Sequence, residues 1–250
     1  MSRHMLLVLV IWLSTGLLIG CGGGSSSSNP SQPPPPAQSV ISGIWSGTVT
    51  STTLGQNSTV LGIISESREA VFITSDGSQL HGSLTVSGSQ VSGSIKSYAP
   101  IGFFFPDGSS VTTTSISATA QTKSSISGTY TGGGDTGTFS LTYDTLYDRP
   151  SSLGLVSGTW LSSGGTVITV DQAGQFTGAD SFGCLYNGQA SAISSSHNAY
   201  KVNVTTSSCG TFDGAYDGLA TLSDNIVLND TLTVGVSNAS FSIVAVFTLQ

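Results

Sequence analysis

The chain has 250 residues, a formal charge of −7 at pH 7 and only 8% charged side chains, about a third of the share usual in globular domains. Six basic residues against 13 acidic ones leave no basic patch, which excludes nucleic acid as a partner. Ser, Thr and Gly supply the polarity instead, as in exported β-proteins, and the chain beyond residue 40 is long enough for one large β-domain or two small ones.

The N-terminus sets an address. Arg3 and His4 precede Met5 to Ile19, a stretch that is apolar except for Ser14, Thr15 and Gly16. A membrane-spanning helix needs about 20 such residues, so this shorter run fits the apolar region of a secretory signal peptide. It ends Leu18-Ile19-Gly20-Cys21. Small residues before a cysteine resemble the lipobox of bacterial lipoproteins. The resemblance implies that residues 1–20 are removed and that the Cys21 thiol carries a diacylglycerol. Cys21 would then be the acylated first residue, holding the protein to a lipid bilayer. Three acyl chains anchor firmly, since each buried methylene contributes ~0.8 kcal/mol. Gly22, where an Asp would retain the protein at the inner membrane, implies the outer membrane of a Gram-negative envelope, or the cell surface of a Gram-positive one.

Residues 21–39 read as the lipidated cysteine and a linker: Gly and Ser first, then the run Pro33 to Pro36. Gly/Ser segments form flexible coil and Pro runs form semi-rigid extended spacers. Neither can bury a core.

Beyond the linker, apolar residues alternate. Phe139, Leu141 and Tyr143 share one face of a run, as do Tyr200, Val202 and Val204, then Leu232, Val234 and Val236, then Phe241 through Leu249 in steps of two. Period two marks half-buried antiparallel strands. The apolar parity shifts across Ser87-Gly88-Ser89-Gln90, which predicts a hairpin turn. Further turns are predicted at Asp76-Gly77, Asp107-Gly108, Asn187-Gly188, Asp213-Gly214 and Asp217-Gly218. Helix signals are nearly absent.

Ser42-Gly43-Ile44-Trp45 recurs 115 residues later as Ser157-Gly158-Thr159-Trp160. About eight candidate strands follow each copy, separated by the least strand-like stretch, residues 144–155. The prediction is an all-β protein of two antiparallel up-and-down barrel-like domains, 40–148 and 149–250, with an open sandwich as the rival architecture. A Gly-x-Trp at the first of about eight strands resembles the calycins, the lipocalin and avidin barrels. That resemblance implies that Trp45 and Trp160 plug one end of each barrel. The whole layout also resembles uncharacterised bacterial lipoproteins.

Few residues point to chemistry. Cys184 and Cys209 fall in neighbouring candidate strands of an exported chain, so a disulfide between them is expected, contributing ~3 kcal/mol in the chain-entropy model. There is no Gly-x-Ser-x-Gly elbow and no His-Glu-x-x-His. His81 and His197 read as surface or turn residues, and no carboxylate pair stands out for glycosidase chemistry. Asp224-Asn225 and Asn229-Asp230 could offer oxygens to calcium, but turn chemistry explains them. No cofactor or metal site is expected. Phe103-Phe104-Phe105 beside Pro106-Asp107-Gly108 is the most unusual segment. Three consecutive aromatics cannot all point inward from a strand, so they form either a hydrophobic lip over a barrel mouth, offered to a ligand or partner, or packing against the other domain. Tyr147, Asp148 and Arg149 read as an interdomain lock.

These features favour a non-enzymatic envelope lipoprotein with a structural or surface-interaction role, meeting an envelope protein or a glycan. Binding of a small hydrophobic ligand inside a calycin-like barrel stands next, and hydrolysis of an envelope polymer last. Small side chains on the strands predict solid barrels.

Overall fold

Alternation of inward and outward side chains runs through seventeen strands, which pair into two closed barrels. The structure is a computed structural model, and it describes residues 38–250. The signal segment, Cys21 and the linker up to residue 37 lie outside the described residues.

The first barrel consists of β1 (Gly43–Ser51), β2 (Asn57–Ile64), β3 (Glu69–Thr74), β4 (Gln79–Ser83), β5 (Thr85–Ser87), β6 (Gln90–Tyr98), β7 (Val111–Gln121), β8 (Ser125–Gly132) and β9 (Asp135–Asp144). Neighbours in the chain pair antiparallel, and β9 returns to β1 with Tyr143 opposite Trp45. β4 and β5 share one partner: Gln79 faces Tyr98 on β6, and Thr85 faces Ser92. They are one strand interrupted at Leu84, whose amide turns aside to the Arg68 carbonyl at 3.0 Å. The ring therefore counts eight strands. β7 shows the pleat most clearly, with Thr114, Ile116, Ala118 and Ala120 inside and the residues between them in solvent.

A 3-10 turn, Thr145–Asp148, and one helical turn, α1 (Leu153–Val156), lead to the second barrel. Its strands are β10 (Gly158–Ser162), β11 (Val167–Val170), β12 (Gln175–Ala179), β13 (Leu185–Ser194), β14 (His197–Ser207), β15 (Gly214–Ser223), β16 (Thr231–Ser237) and β17 (Ser242–Leu249). The meander closes when β17 pairs with β10.

The repeat has a structural counterpart. Trp45 and Trp160 are fully buried at one end of their barrels. Each indole N–H donates to a carbonyl four residues back, Trp45 to Ile41 at 3.0 Å and Trp160 to Val156 at 2.8 Å. The bond satisfies the one polar atom of a side chain placed in a dry core. Two predicted turns are instead strand interior. Gly188 lies within β13 and Gly218 within β15. A Cβ at Gly188 would collide with the Phe176 ring and the Asn203 carbonyl, and one at Gly218 with the Gly235 carbonyl. These glycines permit close backbone approach inside curved sheets.

The barrels share a third core. Ile44, Ile63 and Val71 point outward from β1, β2 and β3, yet are buried against Ala199 and Leu219 of β14 and β15. Tyr147 of the connector completes this cluster and stacks on His197, ring centroids 4.5 Å apart and 9° from parallel. Lys201 on β14 pairs with Glu69 on β3 at 2.5 Å and with Asp217 at 3.0 Å. The connector is clipped to both barrels: Asp148 binds Lys123 of the first at 2.7 Å, and Arg149 meets Asp224 of the second with two bonds of 2.7 Å. With both cores and the interface joined, the described residues make one compact unit.

The barrels stand side by side with matching ends together. At one end, Tyr98 at the close of β6 donates to the Asn238 carbonyl of the β16–β17 turn at 2.6 Å. At the other, Glu66 in the β2–β3 turn meets His197 at the start of β14 at 2.7 Å. Both tryptophan plugs lie at the second end, so both mouths face the same way. His81 and His197 thus belong to the interface rather than to open surface, and His81 is buried.

Candidate ligand cavities

The small residues that predicted solid barrels leave space instead. The first barrel holds a cavity of about 520 Å³, within the ~300–1,000 Å³ range of small-molecule sites. Its floor is apolar, formed by Val60, Phe72, Ile116, Ile126, Phe139 and Leu141. Trp45 seals the end beneath, its ring edge-on to Tyr143 with centroids 5.4 Å apart.

Phe103–Phe105 lie at the mouth, in the β6–β7 loop, and border this cavity. The domain-packing reading is overturned, because Phe103 and Phe104 remain 66% and 69% exposed. The loop is held by its own backbone. Ala99 donates to Ser110 and Phe105 to Ser109, at 2.9 and 2.8 Å. Asp107 accepts from the Ser109 amide and hydroxyl at 2.9 and 2.6 Å. The Asp107 amide then reaches across to the Gly133 carbonyl at 3.1 Å. Gly133 has φ +63°, and a Cβ there would strike Phe105. The β8–β9 turn is therefore the shelf on which Phe105 rests.

Polar groups sit near the rim. Asp135 accepts from Tyr130 Oη at 2.6 Å, from Ser51 Oγ at 2.8 Å and from the Thr136 amide at 2.8 Å. Burial works to raise the Asp135 pKa, but hydrogen bonds, led by those from Tyr130 and Ser51, outweigh it and hold the pKa below the usual carboxylate range. Tyr130 is pushed the other way, first by burial and then by its bond to Asp135. Asp76 also borders the cavity, fixed by the Ser78 amide at 3.0 Å. No lysine or arginine lines this cavity. Sequence reasoning missed Asp76, Tyr130 and Asp135 as a group; the only signal was that two of them stand beside turns.

The second barrel encloses about 420 Å³, lined by Ile168, Phe176, Tyr200, Val202, Leu232 and Phe247 among others. Its mouth is narrowed where Phe212 meets Phe241, centroids 4.9 Å apart. The Cys184–Cys209 disulfide lies at the same end, with Cα atoms 4.6 Å apart, tying the start of β13 to the end of β14. Access is lateral. β10 pairs with β17 only from Phe247 to Leu249, and the open length of β17 borders the cavity together with Ser162 to Gly164.

No other arrangement suggests chemistry. Asp224 is engaged by Arg149 and the Asn229 amide, and Asp230 accepts the amides of Asn225, Ile226 and Val227. The predicted turn chemistry explains both. Among the described residues no three His, Cys, Asp or Glu side chains converge to hold a metal, and no helix is long and apolar enough to cross a membrane. Comparison with protein-family models, with curated proteins and with solved structures finds no match.

Proposed function

We propose that this protein is a lipid-anchored envelope protein that binds a small hydrophobic or amphipathic ligand in its first barrel. The observation that carries the reading is the 520 Å³ cavity with an apolar floor, bordered at its mouth by Phe103–Phe105. Burial of apolar ligand surface drives such binding at roughly 25 cal/mol per Å², and a preformed cavity spares the ligand the cost of ordering loops. The lipobox-like Leu18–Cys21 segment supports the anchor. A non-enzymatic role fits a site with polar groups only at its rim.

The neutral dye N-phenyl-1-naphthylamine tests the reading. Its fluorescence should rise on addition of residues 36–250, the compact unit that contains every core described above. Val49 lines the cavity, and Val49→Trp should fill it and abolish the signal. Absence of binding, or binding untouched by Val49→Trp, would remove the proposal.

A surface-interaction role has its own support. Ile226, Val227 and Leu228 stand 85%, 61% and 73% exposed on the β15–β16 loop, and Asp230 holds that loop rigid through three amides. Three consecutive exposed aliphatics mark a contact surface. Replacing all three by Ser should leave dye binding intact and reduce retention of envelope partners by the immobilised protein. Unchanged retention would count against this role.

A further inference from the structure

The rim of the first cavity carries charge of one sign only. Asp76, on the β3–β4 turn, and Asp135, at the start of β9, both border it, and both act on the hydroxyl of Tyr130. The basic residues that could neutralise them are committed elsewhere. Arg68 binds Gln38, Lys96 the Ala239 carbonyl, Lys123 Asp148, Arg149 Asp224, and Lys201 Glu69 and Asp217. These five are all the lysines and arginines among the described residues.

The hydrogen bonding of Asp135 is incomplete in a useful way. Oδ1 accepts from Ser51 and Thr136, whereas Oδ2 accepts from Tyr130 alone. An ionised carboxylate offers about four acceptor positions, so one position on Oδ2 is left for a donor. Aromatic side chains border the same mouth: Tyr130 in the rim and Phe103 to Phe105 in the lip. Rings of this kind attract cations through their quadrupoles. An anionic head group would meet two carboxylates, Asp135 half-buried and Asp76 exposed, and be repelled by both.

Resting on the ligand-binding reading above, we infer that the first barrel selects an amphiphile with an apolar tail and a cationic amine head. The tail lies on the Ile116 and Leu141 floor, and the ammonium sits between Asp76, Asp135 and the Tyr130 ring. Fatty acids and anionic lipids are the ligands this rim rejects. The cavity is the site, and the two carboxylates set its preference.

Calorimetric titration of residues 36–250 with decylamine, decan-1-ol and decanoate at pH 7 and low salt tests this. The three probes share a tail and differ only in head charge. The amine should bind at least about tenfold more tightly than the alcohol, and decanoate most weakly. Asp76→Asn should shrink the gap between amine and alcohol. Asp135→Asn should do the same. Because Asp135 also orients Ser51 and Tyr130, a second measurement guards against misfolding: about 1 M salt, where the Debye length falls to ~3 Å, should narrow the amine preference in the unaltered protein. Asp171→Asn, on a turn of the other barrel, should leave the preference intact, which separates the rim from the general acidity of the chain. Equal binding of the three probes, tighter binding of decanoate, or a preference that survives both substitutions would overturn the inference while the ligand-binding reading stands. Failure of all three to bind would overturn both.

Discussion

Trp45 and Trp160 occupy equivalent places in the two barrels: each is fully buried, and each indole donates to the carbonyl four residues before it. The acceptors, Ile41 and Val156, are themselves buried. Each plug thus draws the chain that enters a barrel across its closed end. Replacing either tryptophan by Ala removes the largest side chain of its core, and a loss of ~3–5 kcal/mol is expected in urea unfolding. Melting of both variants like the unaltered protein would disprove the plug assignment.

Acid should weaken the protein through His81. Burial lowers its pKa from 6.5 to about 4, against an opposing pull from Asp217 and a smaller push from Lys201. The ring faces Tyr98 edge-on and holds Gln79 at 3.0 Å. Between pH 6.5 and 4 the unfolded chain binds a proton that the folded one refuses, so stability falls as pH drops through that window. The loss is at most about 3 kcal/mol, since each pKa unit corresponds to about 1.4 kcal/mol. His81→Gln should flatten the stability curve between pH 7 and 4. An unchanged slope would assign the acid sensitivity to other groups.

The Tyr147 hydroxyl is buried in the shared core with no hydrogen-bond partner. An unsatisfied buried hydroxyl carries a desolvation cost of ~1–3 kcal/mol, so Tyr147→Phe should be neutral or stabilising in thermal melts. Tyr147→Ala should cost ~3–5 kcal/mol, because the stack on His197 and the interface packing go with the ring. A clear destabilisation by Tyr147→Phe would reveal a partner for the hydroxyl.

Replacing Cys184 and Cys209 together by Ser should lower stability by about 3 kcal/mol, the chain-entropy value for a loop of this length. The disulfide joins segments at the mouth of the second barrel, so the loss should appear as earlier unfolding in non-reducing urea titration. Addition of a reductant to the unaltered protein should reproduce the shift.

Cys21→Ser should abolish acylation of the expressed chain, read as the mass of the N-terminal peptide, and release the protein from the membrane fraction. Retention of the lipid mass in the variant would disprove the anchor.

Most strands, the repeat and the disulfide were legible in the residue pattern alone. Alternation shows which side chains share a face, and the same rule holds for Phe139-Leu141 and Tyr200-Val202-Val204 in the structure, because a pleated strand has no other way to present them. The Gly-x-Trp repeat, through its resemblance to the calycins, implied two equivalent buried tryptophans. Tertiary structure alone decided the rest. Ile44, Ile63 and Val71 look like ordinary outward residues and are buried only because Tyr147, Ala199 and Leu219, far along the chain, cover them. The strand glycines Gly188 and Gly218 read as turns because Asn-Gly and Asp-Gly do so locally, whereas close approach of a neighbouring strand demands them here. Whether a barrel is hollow depends on strand number, stagger and which side chains oppose one another across the interior. None of these is encoded in local periodicity. The rim of Asp76, Tyr130 and Asp135 comes together only when β3, β8 and β9 close on one another around the ring.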